Sequence, residues 1–332
     1  MAPFKVRQST LKTWRKCRRA AHHKLVEFLR PKTLRRPLKF GTLMHNLIEA
    51  RAHRISPKKY FKSLDQSELD GYDDQEEYGN IISNASDIMH HYNERWKDDG
   101  LRTCKGPSGG IAEHKFEMPL AKGIILTGKI DMVVRSEDRR RWMTEHKTYS
   151  KEWSEEDRWR NVQSSLYINA WTTLTGKRLD GVLWDYIYSK PPSVPKLTQK
   201  GKISQAAIVT LPITVNRFLA ENKLTSKDEG VDYLIAAGEE GAGRYFERVF
   251  VPRNLRVEKI VLNDAISTAK EMQRRLGKSK ERTIDFHCNM CEFKKLCNAA
   301  LTGGDVGFVK RNYYYVDEEE RDEEAAREEA AE

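Results

Sequence analysis

Residues 128–147 read GKIDMVVRSEDRRRWMTEHK, and both the fold and the chemistry of the chain turn on this stretch. Asp131 sits inside an apolar run of Ile130, Met132, Val133 and Val134; a charged segment separates it from a second β-prone run ending in Glu145-His146-Lys147. Strand side chains alternate between faces, so Glu145 and Lys147 share one face and His146 takes the other. Folding the two runs into a hairpin across SEDRRR sets Asp131 beside Glu145. Two carboxylates brought together in a partly apolar sheet resist ionisation unless positive charge lies between them, and a divalent metal meets that need. An edge hairpin carrying ordinary surface charges is the plainer reading of the same residues.

At 332 residues, with 39% hydrophobic and 33% charged content, the chain is long enough for one large domain or two medium ones with an ample core. No run approaches the roughly 18 apolar residues of a membrane span. The opening MAPFKVRQSTLKTWRKCRR also lacks the apolar segment of a signal peptide. A cytoplasmic location is the expectation. The formal charge is +10, unevenly spread: residues 317–332 carry ten acidic and two basic side chains, net −8, which leaves about +18 on the body. A body that basic predicts a polyanionic partner, nucleic acid above all, bound through counterion release. The acidic tail reads as a disordered, solubilising segment.

Residues 1–36 hold twelve Lys or Arg against one acidic residue, and Ser9 is a plausible N-cap for a helix running through Trp14 and Cys17. The stretch 40–50, FGTLMHNLIEA, reads as a helix with apolar residues at 43, 44, 47 and 48, carrying His45. Residues 56–110 give mainly helical signals, and 111–120 open the sheet region with Glu113 near its start. A helix is predicted over 157–175, where Gln163 and Tyr167, four apart, share a face. Residues 181–188, GVLWDYIY, read as a strand, and 204–280 as mostly helical.

Five cysteines occur, three of them packed as C-x2-C-x5-C at Cys288, Cys291 and Cys297, with Cys17 and Cys104 far upstream. An odd count in a reducing compartment argues against disulfides and for thiolate ligation of a soft metal. Zinc and an iron–sulfur cluster both satisfy that spacing.

An Asp followed by Glu-x-Lys resembles the PD-(D/E)xK nuclease superfamily, and Gly128-Lys-Ile-Asp131 is similar to the GxxD form of its RecB-like branch. Gly41-x-x-x-His45, Gln163-x-x-x-Tyr167 and the cysteine pattern fall in the order that this branch shows. The nearest resemblance is to the CRISPR-associated four-cysteine exonucleases, a phage-encoded member being within the expectation. The resemblance implies a restriction-endonuclease-like α/β fold, a mixed sheet flanked by helices. It implies that Asp131, Glu145, His45 and the backbone carbonyl of His146 hold Mg²⁺ or Mn²⁺, that Lys147 positions or deprotonates the attacking water, and that Gln163 and Tyr167 support the scissile strand. Glu113 is an accessory candidate. It further implies a [4Fe-4S] cluster on Cys17, Cys288, Cys291 and Cys297, which would clasp the two ends of the chain together. The family often has Asp and Tyr where this chain has Glu145 and His146.

The expected organisation is one nuclease domain over 1–316. Its core spans about 37–190, with a helical and iron–sulfur region from 1–36 and 195–300, and a tail at 317–332. The expected activity is a metal-dependent DNA exonuclease acting on single strands or ends. The alternatives are a structure-selective endonuclease, a CRISPR-adaptation nuclease, or a non-catalytic DNA-binding iron–sulfur protein, with recombination or CRISPR-adaptation proteins as partners.

Overall fold

The computed structural model describes residues 3–33, 36–63, 75–151 and 154–329. The helical expectation for 64–74 and the last three residues of the tail lie outside these. The predicted hairpin is present: β6 (Met132–Arg135) pairs antiparallel with β7 (Arg141–Tyr149), Met132 opposite Thr144. The strand predicted over 181–188 is β8 (Gly181–Tyr188), parallel to β7. Parallel neighbours need a crossover, and α6 (Glu155–Trp159) and α7 (Val162–Thr175) supply it. The single helix expected over 157–175 is therefore two, because Asn161 leaves helical geometry and its side chain caps α7 by accepting from the Ser164 N–H.

Two mixed sheets form the centre. One has five strands in the order β3 (Arg102–Thr103), β6, β7, β8, β9 (Phe246–Pro252); the other has three, β1 (Phe4–Arg7), β5 (Ile124–Ile130), β4 (His114–Ala121). Neither β1 nor β9 falls within the expected 37–190 core. The first, FKVR, is too short and basic to announce a strand, yet it pairs in parallel with Ile124–Thr127 of β5. The second interrupts a region read as helical, FERVFVP lying antiparallel on β8 between α9 (Val231–Tyr245) and α10 (Leu255–Arg275).

Helix α1 (Gln8–Lys16) starts two residues earlier than the Ser9 cap implies: Arg7 is the cap, and the Thr10 hydroxyl receives its N–H at 3.0 Å. Leu11 and Trp14 bury one side of α1 among Val6, Leu126 and the α7 residues Leu166 and Trp171. A second apolar cluster joins α3 (Arg36–Ala52) and α5 (Gln75–Arg95) through Met44, Leu47, Ile88 and Tyr92. With α4 (Pro57–Ser63) beside α3, the five-stranded sheet has α7 on the Glu145 side and α3 and α5 on the His146 side. The acidic tail, expected to lack structure, is a helix, α13 (Glu318–Glu329), whose first turn docks through Asp317 and Glu320 onto Arg30, and through Glu320 onto Arg7. Runs of Glu and Ala favour helix once such anchors fix one end.

Candidate active site and cysteine pocket

Asp131 is the single residue between β5 of one sheet and β6 of the other. At that switch the ladder is interrupted, so the Asp131 backbone is free for local use: its carbonyl accepts the Glu113 N–H at 2.8 Å, and its side chain accepts the His146 N–H at 3.0 Å. Glu113 adopts a left-handed φ of 51°, a strained conformation for a residue with a side chain and one that tends to mark functional sites. His45 Nδ1 lies 3.6 Å from Asp131 Oδ2. The nitrogen and carboxylate oxygens of His45, Glu113 and Asp131 lie within 4.8 Å of one another, close enough to share one metal ion. Glu113, an accessory in the sequence reading, thus stands in the closest group, with Lys129 as its ion-pair partner.

Glu145 stands one residue past Thr144, next to Asp131, and is only 2% exposed. Its Oε1 accepts from Lys147 Nζ and, at 2.9 Å, from Gln163 Nε2. Burial raises the Asp131 and Glu145 carboxyls above the ordinary carboxylate range, and the Asp131 charge raises Glu145 further. Burial, then the nearby His146 and Lys147, lower His45 to about 4 and leave its imidazole neutral with a lone pair to donate. These are the conditions a cation would relieve. Oxygen donors dominate the set, which suits Mg²⁺ or Mn²⁺.

Glycines set how closely the helices approach. A Cβ on Gly128 would lie 2.7 Å from the Phe116 ring and 2.9 Å from Tyr167, so the glycine of GxxD makes room for the Tyr167 ring against β5. The Tyr167 hydroxyl receives a backbone hydrogen bond from Lys129, and its ring meets Phe116 edge-on at 5.1 Å. A Cβ on Gly41 would sit 3.2 Å from Thr148 Oγ1, so this glycine lets α3 cross close to β7 and bring His45 over the site.

One group beside the candidate site was not read from the sequence. On the face of β7 opposite Glu145, His146 Nδ1 lies 2.9 Å from Asp185 of β8, a fully buried carboxylate that also accepts from Tyr92 and, at 3.1 Å, from Arg248 Nε. Arg248 continues to Asp99 at 2.5 Å and stacks over Trp96. Burial pushes Asp185 up, but His146 and Arg248 outweigh it and hold the carboxyl at about 2. The network grips the residue whose N–H holds Asp131. Its signal was the lone acid in GVLWDYIY, since a buried charge requires partners.

Cys17, the residue between α1 and α2 (Arg18–Leu25), lines a separate cavity of about 90 Å³ together with Cys288, Cys291 and Cys297. Cys288 belongs to a 3-10 turn, Phe286–Met290, and Cys297 to α11 (Lys294–Thr302). All five cysteines are free thiols, and Cys104 is elsewhere, its N–H bonded to the Val133 carbonyl. Burial and then the neighbouring sulfurs of Cys17 and Cys288 raise the Cys291 thiol.

A sequence model of the PD-(D/E)XK nuclease superfamily matches residues 6–298, nearly the whole chain, and the protein belongs to that superfamily. The curated proteins contain no match. The mixed α/β architecture agrees with the family's fold, and membership makes the protein a nuclease whose acidic residues are suited to a divalent metal. Among the described residues, no helix is long and apolar enough to cross a membrane.

Proposed function

We propose that the protein is a metal-dependent exonuclease that hydrolyses phosphodiester bonds in single-stranded DNA or at DNA ends. The observation that carries this reading is the meeting, at the switch between two sheets, of His45, Glu113 and Asp131, with Glu145, Lys147 and Gln163 in the next step of β7 and α7. Asp131, Glu145 and His45 are the side chains we assign to Mg²⁺ or Mn²⁺, together with the backbone carbonyl of His146, and Glu113 joins them. The bound ion supplies Lewis-acid polarisation of the phosphate and a lower pKa for water. Lys147 orients the attacking water and balances phosphate charge, Gln163 keeps Glu145 in its rotamer, and Tyr167 shapes the wall against which the scissile strand rests. The test is cleavage of end-labelled linear and circular single strands in Mn²⁺, with Lys147→Ala as control. Shortening of linear strands alone is expected. Cutting of circles would make the enzyme an endonuclease, and no cutting by the wild type under either metal would leave a binding module.

The same proposal places a [4Fe-4S] cluster on Cys17, Cys288, Cys291 and Cys297. The support is that the four thiols, from both ends of the chain, line one cavity, and that soft thiolates suit iron–sulfur centres. A cytoplasmic setting keeps such thiols reduced. Anaerobically purified protein should be brown and contain iron; a colourless protein with one equivalent of zinc would replace the cluster with a zinc site.

A further inference from the structure

The positive charge of the body is not evenly neutralised. Some of the cations are taken up by acids: Arg18 by Glu271, Lys24 by Glu292, Lys310 by Glu27, and Arg30 by Asp317 and Glu320. One groove differs. A cavity of about 780 Å³ runs between α1 and the start of α7, and Lys12, Arg15, Lys16, Lys151 and Arg160 line it. Among the described residues none of these five has a carboxylate partner; Arg15 donates instead to the Thr268 hydroxyl at 2.7 Å. The one acid on the wall, Asp157, accepts the Ser154 hydroxyl at 2.8 Å and offsets only one of the five cations.

Lys12, Arg15 and Lys16 fall at i, i+3 and i+4, so they share a face of α1, while Leu11 and Trp14 bury the other. The groove lies next to the candidate active site. Val162 lines it and the next residue, Gln163, holds Glu145; Lys12 is near enough to Lys147 for the two ammonium groups to repel. Clustered unpaired cations on a concave wall attract a polyanion. We propose that this groove carries the sugar–phosphate backbone of one DNA strand between solvent and the metal site. The size favours a single strand: the volume is that of a pocket enclosing a small molecule, roughly 300–1,000 Å³, too small for a duplex with its two backbones. Its cations provide phosphate contacts and no base code, so binding is blind to sequence.

This inference rests on the nuclease reading, and the experiment separates the two. Binding of a fluorescein-labelled oligodeoxythymidylate is measured in metal-free buffer against salt concentration, for the wild type, K12Q/K16Q/R160Q and the exposed pair K177Q/K200Q, which lies outside the groove lining. Each lost single-strand contact reduces the slope of log affinity against log salt by about 0.7, so the triple variant should lose about 2 and bind on the order of tenfold more weakly at low salt. The control pair should match the wild type. K12Q and K16Q alone, each expected to lose about 0.7, keep the test valid if the triple variant folds poorly. A triple variant with unchanged slope and affinity overturns the proposal, as does a wild type that prefers a blunt duplex to the single strand. Hydrolysis of bis(4-nitrophenyl) phosphate by the wild type in Mn²⁺ tests the nuclease reading separately. Hydrolysis with a silent groove sinks only the groove; a salt-sensitive groove without hydrolysis sinks only the nuclease.

Discussion

The carboxylate site and the cysteine pocket are assembled by opposite routes. The first draws Asp131, Glu145 and Lys147 from one hairpin, so register alone sets them side by side, and only His45, Glu113 and Gln163 are brought in from elsewhere. The second draws Cys17 and Cys297 from opposite ends of the chain, and no local geometry unites them. A site written into adjacent strands tolerates loss of its function without loss of the fold, whereas a site that joins distant segments is itself part of what closes the molecule.

The sharpest way to break this contrast is Asp131→Asn. Cleavage in Mn²⁺ should fall by about 10⁴-fold, while metal-free protein melts no lower than wild type, because one of two repelling carboxylates is gone. Mn²⁺ at about 100 times its Kd should stabilise wild type by about 2.7 kcal/mol and the variant far less; calorimetry with and without metal checks both. Cys291→Ala should behave in reverse, losing about 3 kcal/mol of stability, a drop in Tm of about 6 °C, with DNA binding impaired before metal affinity. A Cys291→Ala protein with unchanged Tm and binding would remove the structural half of the comparison.

Asp185→Asn sharpens the first half. It touches neither metal nor substrate, yet should weaken Mn²⁺ binding by about 10–100-fold, the usual cost of losing the partner that orients a ligand-bearing residue. Isothermal titration with Mn²⁺ reads this directly, and a normal Kd would reduce Asp185 to a packing role.

The smallest effect is one of pH. Asp131 and Glu145 are raised in the folded state, so metal-free protein retains protons that the unfolded chain has released, and their contribution diminishes stability as pH rises past the ordinary carboxylate range. Glu27, beside the cysteine pocket, is opposite in sign. Burial pushes it up, but hydrogen bonds from Lys310 and His23 outweigh this and hold it at about 2. Its contribution is complete above its ordinary value of 4.5 and vanishes as pH falls to about 2. Glu27→Gln should therefore lower Tm at neutral pH, with the difference from wild type shrinking through that acid window.

Much of this was legible in the sequence, for physical reasons that differ by element. Alternation and a charged turn specified β6 and β7, and an apolar β-branched run bounded by Gly and Pro specified β8, because a strand buried on both faces leaves little choice of residue. The strands β1 and β9 were illegible, since FKVR and FERVFVP owe their conformation to the partner strand they complete. Glu113 could not be ranked from sequence: its place beside Asp131 comes from a backbone turn with a positive φ. The helicity of α13 was hidden by charge, which reads as disorder until Arg30 and Arg7 supply the counterions.

The parallel pairing of β1 with β5 also bears on how the protein is made. Phe4 waits for Ile124, and at the ordinary rate of translation, about 5–20 residues per second, that is an interval of roughly 6–24 s during which the first basic helix has left the ribosome without its sheet. Any factor that captures nascent cationic segments has that interval in which to act.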